Sequence, residues 1–143
     1  MLVKAPDIQV TNQIDVVRVL REILQSEPIE EREKEHFWVI GLRANNSIKY
    51  IDCVHIGTID SSMADPRSIF RIAVTQGISA IIVAHNHPSG NIKPSPEDEK
   101  QQTRIEDAGK ILNIQVLDHI IITDLANKYY SFREEEAKGA IHE

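Results

Sequence analysis

Ile78-Ser79-Ala80-Ile81-Ile82-Val83-Ala84 is a nearly unbroken apolar run that ends on His85-Asn86-His87. Such a run reads as a strand buried on both faces, which calls for helices on either side of its sheet. Residues i and i+2 of an extended segment project to the same face. The two imidazoles therefore emerge together where the strand ends, and Asn86, which alternates with them, points away. Ten residues lie between His87 and Asp98, in a segment that holds Pro88, Gly90 and Pro94. Two imidazoles and a carboxylate supply three ligands to a tetrahedral metal and leave the fourth position for water. That is the mark of a catalytic zinc site as opposed to a structural one.

Blander readings compete with each assignment. A lone histidine is most often a satisfied core residue, but two in a His-x-His at the end of an apolar strand, with an Asp downstream, fit a metal better. Ser95-Pro96-Glu97-Asp98 is also a good helix start, with Ser95 at the N-cap, Pro96 at N1 and acidic residues in the first turn. Asp98, Ile105 and Leu112 recur at intervals of seven, which places Asp98 on the stripe facing the sheet. An inward carboxylate needs a partner, and a metal provides one. Hydrolysis on a metal also needs a general base. Glu30, Glu31, Glu33 and Glu35 are candidates, and Glu35 is preferred because it alternates with Phe37 and Val39 at the start of a strand.

The remaining elements follow from periodicity. Residues 13–25 place Ile14, Val17, Leu20 and Leu24 at helical spacing behind Thr11 or Asn12 as N-cap. Residues 26–35 read as a charged connection, and Phe37–Leu42 and Ile48–Ile56 as a hairpin turning at Asn45-Asn46. Gly57 to Ala64 reads as loop. Asp65-Pro66 opens a helix with Ile69, Ile72, Ala73 and Gln76 on one face, stopped by Gly77. A long helix runs from Ser95-Pro96 to about Asn113. A strand spans Val116–Thr123, a turn falls at Asn127, Tyr129–Phe132 forms a last short strand, and His142 lies in a tail. This order predicts an α/β fold, a three-layer sandwich with a mixed sheet flanked by helices.

The formal net charge of −6 argues against a generic nucleic-acid-binding surface. Cys53 is the only cysteine, so neither an intramolecular disulfide nor a Cys-rich zinc site is available. It also excludes a zinc deaminase, which needs a Pro-Cys-x-x-Cys ligand pair. No stretch approaches ~18 uninterrupted apolar residues, and Met1–Val10 shows no signal-peptide pattern. A cytoplasmic protein with no membrane partner is expected. Cys53 and Trp38 read as core residues, and His36 and His55 as structural. Asp118-His119 reads equally well as a site-lining pair or as a polar strand entrance.

Glu35, His85, His87, Ser95 and Asp98 resemble the JAMM (MPN+) metalloprotease motif: an upstream Glu, then His-x-His, seven residues, Ser, two residues, Asp. The likeness is closer still to RadC-type JAB/MPN domains. It is carried by His85-Asn86-His87-Pro88-Ser89-Gly90, Pro94-Ser95, Gly57-Thr58, Pro66-Arg67 and Val116-Leu117-Asp118-His119. It covers residues 10–133 of a single expected domain, 1–143, which leaves no room for the N-terminal helix-hairpin-helix region of long RadC-type proteins. Arg43 stands where such chains often carry Asp, with a surface effect expected. The resemblance implies a JAB/MPN sandwich similar in architecture to cytidine deaminases, and one zinc on His85, His87 and Asp98. It also implies Glu35 as general base and Ser95 as oxyanion donor. The activity implied is metallopeptidase or isopeptidase hydrolysis of an amide in a peptide or isopeptide-linked protein. The alternatives are a repair-associated factor acting on or near nucleic acid, since RadC-type proteins carry a DNA-repair label, and a non-catalytic MPN-type interaction module.

Overall fold

The computed structural model describes residues 1–57, 65–124 and 128–142. Most of the loop expected before Asp65 and the turn expected at Asn127 lie outside the described residues. Among these residues, six strands form one mixed sheet in the order β1-β3-β2-β4-β5-β6. They are β1 (Leu2–Val3), β2 (Glu35–Leu42), β3 (Ile48–Gly57), β4 (Ala80–Asn86), β5 (Gln115–Ile122) and β6 (Tyr129–Ser131). Among the described residues, β4 and β5 pair in parallel and the other four pairings are antiparallel. A parallel pair needs a crossover long enough to return the chain to the same edge, and α4 (Pro96–Leu112) provides it.

Helices cover both faces. On one face α1 (Gln13–Gln25) buries Val16, Val17, Val19, Leu20 and Leu24 against Trp38, Ile40, Ile82, Ala84, Ile120 and Ile122. On the other, Ile69, Phe70 and Ala73 of α3 (Pro66–Gln76) join Ile105 of α4 against Phe37, Val39, Ile81 and Val83. The result is the expected α/β/α sandwich. Caps set the helix bounds. Asn12 and Asp15 form a capping box on α1, Asp65 accepts from Arg67 N on α3, and Ser95 and Asp98 form a second capping box on α4. Gly77 closes α3 at φ 68°, a left-handed position that favours glycine.

The structure corrects several expectations. Ile14 is 50% exposed, because Val16 and Val19 widen the α1 stripe away from it. Phe70, not Gln76, completes the buried face of α3. Leu112 is 43% exposed and the α4 stripe runs through Gly109 instead. A strict seven-residue repeat drifts around a 3.6-residue helix, so two heptads carry Leu112 off the seam. β3 runs on through Gly57.

Three short or polar elements escaped the periodicity. β1 pairs with β3, and the terminal ammonium of Met1 bonds Asp52 Oδ1 at 2.8 Å and Cys53 O at 2.7 Å. Within the charged connection, α2 (Ile29–Arg32) forms a single turn, with the Arg32 guanidinium donating to the carbonyls of Gln25 and Glu27. The last strand stops at Ser131, and Phe132–His142, expected as strand end and tail, is a helix, α5. Asp118 of β5 starts that helix by accepting from Arg133 N, while Ser131 Oγ accepts from Glu134 N. Among the described residues, no helix is long and apolar enough to cross a membrane.

Candidate metal centre

The register of the sheet builds the site. Phe37 lies opposite His85 across β2 and β4, and Val83 lies opposite His119 across β4 and β5. The face that buries Val39, Val83 and Phe37 therefore also carries His85 and His119, both fully buried. His87 sits one residue past β4, and its N–H donates to Ile122 O at 2.9 Å, which holds the chain along β5 before it turns away. Asp98 reaches the same point from the first turn of α4.

Nε2 of His85 and Nε2 of His87 stand 3.0 Å apart. Asp98 spans them, with Oδ1 at 3.2 Å from the first and Oδ2 at 3.2 Å from the second. The ligand atoms of these three residues lie within 4.8 Å of one another and could hold a metal ion. The donor chemistry fits. His87 Nδ1 faces the carbonyl of Asn91 at 2.7 Å, a pure acceptor, so this nitrogen carries the proton and Nε2 of the neutral ring is a lone pair. Two nitrogens and a carboxylate of the kind zinc takes converge on one point with their outer positions already engaged.

The electrostatics set a proton and a metal in competition for the same nitrogens. Burial pulls His85 below the usual imidazole range despite the carboxylate beside it. For His87, burial also pulls down, but hydrogen bonds to Asp98 and Asn91 outweigh it and leave a raised value. Burial opposes ionisation of Asp98, yet the two imidazoles and the Ser95 backbone hold its carboxyl well below the ordinary carboxylate range.

Ser95 and Asp98 perform their capping role as well. Asp98 N donates to Ser95 Oγ at 3.1 Å and Ser95 N donates to Asp98 Oδ2 at 2.8 Å. The cap fixes the carboxylate at the point the histidines reach. Ser95 is exposed, and its accepted bond uses a lone pair, so its O–H is available as a donor.

Glu35 opens β2 on the side of Phe37, which stacks on the His85 ring at 6.0 Å and 6° between planes. Its charge favours the protonated form of both His85 and His87. Asn86 holds it there. The Asn86 amide accepts from His36 N at 2.5 Å and donates to Lys34 O at 3.1 Å, gripping the backbone on both sides of Glu35. Asn86 does point away from the two histidines, and its direction has this use. Of the other acidic candidates, Glu31 pairs with Lys34 at 2.9 Å, and Glu30 and Glu33 are exposed.

Asp118 and His119 separate by face. His119 enters the site, with Nε2 at 2.8 Å from His85 Nδ1. Burial drives it well below the imidazole range, so the ring is neutral. Asp118 lies on the α1 side, accepting from Ser131 Oγ at 2.6 Å as well as from Arg133 N. Gln102 escaped the sequence reading. It sits four residues after Asp98, one turn along the same helix face, and that interval is the signal that finds it. His36 stacks on Trp38 at 5.3 Å, and His55 lies opposite Phe37, neither of them in the converging group. Trp38 and Cys53 are core residues. Arg43 is exposed and donates to Ile48 O at 2.8 Å across the hairpin turn, a local surface role.

Comparison with known proteins agrees with this architecture. Residues 7–137 match the family model described as RadC-like JAB domain. A UPF0758 protein of Desulforudis audaxviator is 43% identical over 103 residues, 72% of this chain and 44% of that protein. The UPF0758 protein SH1266 of Staphylococcus haemolyticus is 39% identical over 128 residues, 90% of this chain and 53% of that protein. A UPF0758 protein of Caldanaerobacter subterraneus is 42% identical over 115 residues, 80% of this chain and 47% of that protein. The chain thus spans about half the length of the curated relatives it matches.

Proposed function

The chain belongs to the RadC-like JAB domain family, and from that premise we propose that it is a zinc-dependent hydrolase of amide bonds, with a peptide or isopeptide-linked protein as substrate. The observation that carries this reading is the convergence of His85 Nε2, His87 Nε2 and the Asp98 carboxylate, with Glu35 near enough for its charge to act on both imidazoles. Exposed acidic clusters are common without any metal, but this group pairs a fully buried imidazole with a buried carboxylate. Such groups are costly to bury unless something binds them.

His85, His87 and Asp98 would hold the ion, which supplies the Lewis acidity that makes water a competent nucleophile near neutral pH. Glu35 accepts a proton from the attacking water as its oxygen adds to the amide carbon. Ser95 donates its hydroxyl hydrogen to the developing oxyanion. Glu35 then delivers the proton to the amine nitrogen as the C–N bond breaks, leaving a carboxylic acid, which ionises to solvent, and an amine. Phe37 and Phe132, packed around His85 and His119, keep bulk water from the outer sides of the imidazoles. The net charge of −6 disfavours a polyanionic substrate, so a protein amide is preferred over a phosphodiester.

The test is a turnover screen of the zinc-loaded protein on peptide, lysine-isopeptide and phosphodiester substrates, beside Glu35→Gln. Amide cleavage that vanishes in Glu35→Gln, with zinc retained, supports the reading. Turnover that survives the substitution removes Glu35 as base. Cleavage of phosphodiesters alone replaces the amide assignment.

A further inference from the structure

We infer that Glu106, Gln102 and His119 form a positioning relay that fixes the tautomer of His85 and so turns its Nε2 lone pair toward the metal site. The inference rests on the metal-site reading above and adds three residues to it, none of which touches the ligand-converging point.

Hydrogen-bond direction can be followed inward from the surface. The half-buried Glu106 carboxylate only accepts, so the neighbouring Gln102 amide must turn its NH2 toward Glu106 Oε1. That orientation leaves Gln102 Oε1, another pure acceptor, facing His119 Nδ1 at 2.8 Å. His119 Nδ1 therefore carries the proton. In a neutral ring Nε2 is then the lone pair, and it faces His85 Nδ1 at 2.8 Å. His85 Nδ1 must donate, and its own Nε2 becomes the lone pair beside Asp98. Each link allows one choice, and the choice is made at Glu106.

Burial gives the relay its force. His85 and His119 are 0% exposed and Gln102 is 7% exposed. A reversed tautomer would set donor against donor, or acceptor against acceptor, with no water to repair it. The rings are also clamped in plane. Phe132 stacks on His119 at 4.8 Å, and Phe37 meets the His119 edge at 6.0 Å while stacking on His85. His87 has its own, separate control through Asn91 O. The two imidazoles thus reach the same tautomer by independent routes, one through a backbone carbonyl and one through α4.

The test combines zinc titration with imidazole 15N spectra, on the native protein, Gln102→Leu and the double variant Gln102→Glu with Glu106→Gln. The native, zinc-loaded protein should show the proton on Nδ1 of both His85 and His119. Gln102→Leu removes the acceptor and should weaken zinc binding about 10–100-fold. Gln102→Glu, made together with Glu106→Gln so that an amide still donates between the two positions, keeps an acceptor toward His119 and should restore affinity to near the native value. If native protein binds zinc but His119 carries its proton on Nε2, or if Gln102→Leu binds as tightly as native, the relay is overturned while the metal site stands. If native protein takes no zinc at all, the metal-site reading fails and the relay falls with it. Should Gln102→Leu fail to fold, the native 15N spectrum and the double-variant titration still decide.

Discussion

On the α1 face of the sheet, Trp38, Ile40, Ile82, Ala84 and Ile122 meet Val16, Leu20 and Leu24 in an apolar cluster, with Asp118 bonded at its border. On the opposite face the same strands present Phe37, Val83 and Ile81 and, at one end, His85 and His119, with Asp98 and Gln102 arriving from α4. Ala84 and His85 are neighbours in sequence and belong to different worlds. The period of two in a strand makes this possible: one register satisfies packing on one side and chemistry on the other. Burial on the first face is favourable by itself, at about 25 cal/mol per Å² of apolar area. Burial on the second is unfavourable until every polar group finds its partner. The lesson is that substitutions in this protein should sort by face more than by position along the chain.

Two substitutions test that sorting most sharply. Glu35→Gln should cost about 10²–10⁴-fold in hydrolysis with zinc content and melting temperature unchanged, read by turnover, elemental analysis and thermal unfolding. Leu20→Ala, on the fully buried side of α1, should cost about 2–5 kcal/mol of stability and leave zinc per folded chain unchanged. If Glu35→Gln unfolds the protein, or Leu20→Ala strips the metal, the faces are not independent. Asn86→Ala should sit between the two classes. It leaves Lys34 O and His36 N without their partner, at about 1–3 kcal/mol, and should lower turnover through the backbone that carries Glu35 while zinc remains bound. A loss of stability with no loss of turnover would reduce Asn86 to a packing residue.

The smallest expected effect concerns Cys53. Burial, only partly offset by the terminal ammonium, raises its thiol from 9.0 to about 11. A thiol whose folded value is raised adds stability that is complete below the unfolded value and lost as pH rises through the folded one. The native protein should therefore resist thiol reagents near pH 8 and lose this contribution between about 9 and about 11, a slope absent in Cys53→Ala. Rapid labelling of native protein at pH 8 would show that the α1 face opens readily.

Legibility in the sequence follows the same division. Strands β2 to β5 and helices α1, α3 and α4 carry periodic apolar residues and recognisable caps, and their places follow from the chain directly. The His85-Asn86-His87 face, the Ser95–Asp98 cap and the direction of Asn86 are equally local. What was hidden depends on distant partners. α5 has no apolar stripe, and its start is set by Asp118 on β5. β1 is two residues held by Asp52. The role of His119 turns on which of two strand faces it occupies, and the pairing Val83 to His119 is a matter of sheet register. Even Gln102, whose interval from Asp98 was visible, gains meaning only when β5 brings His119 against it.

The most direct test of the metal centre is the zinc content of the purified protein beside Asp98→Ala, by elemental analysis with no added metal. The native protein should hold about one zinc per chain, and the variant should lose most of it. A native protein that is metal-free and cannot be loaded, or an Asp98→Ala variant that keeps its zinc, would contradict the metal centre.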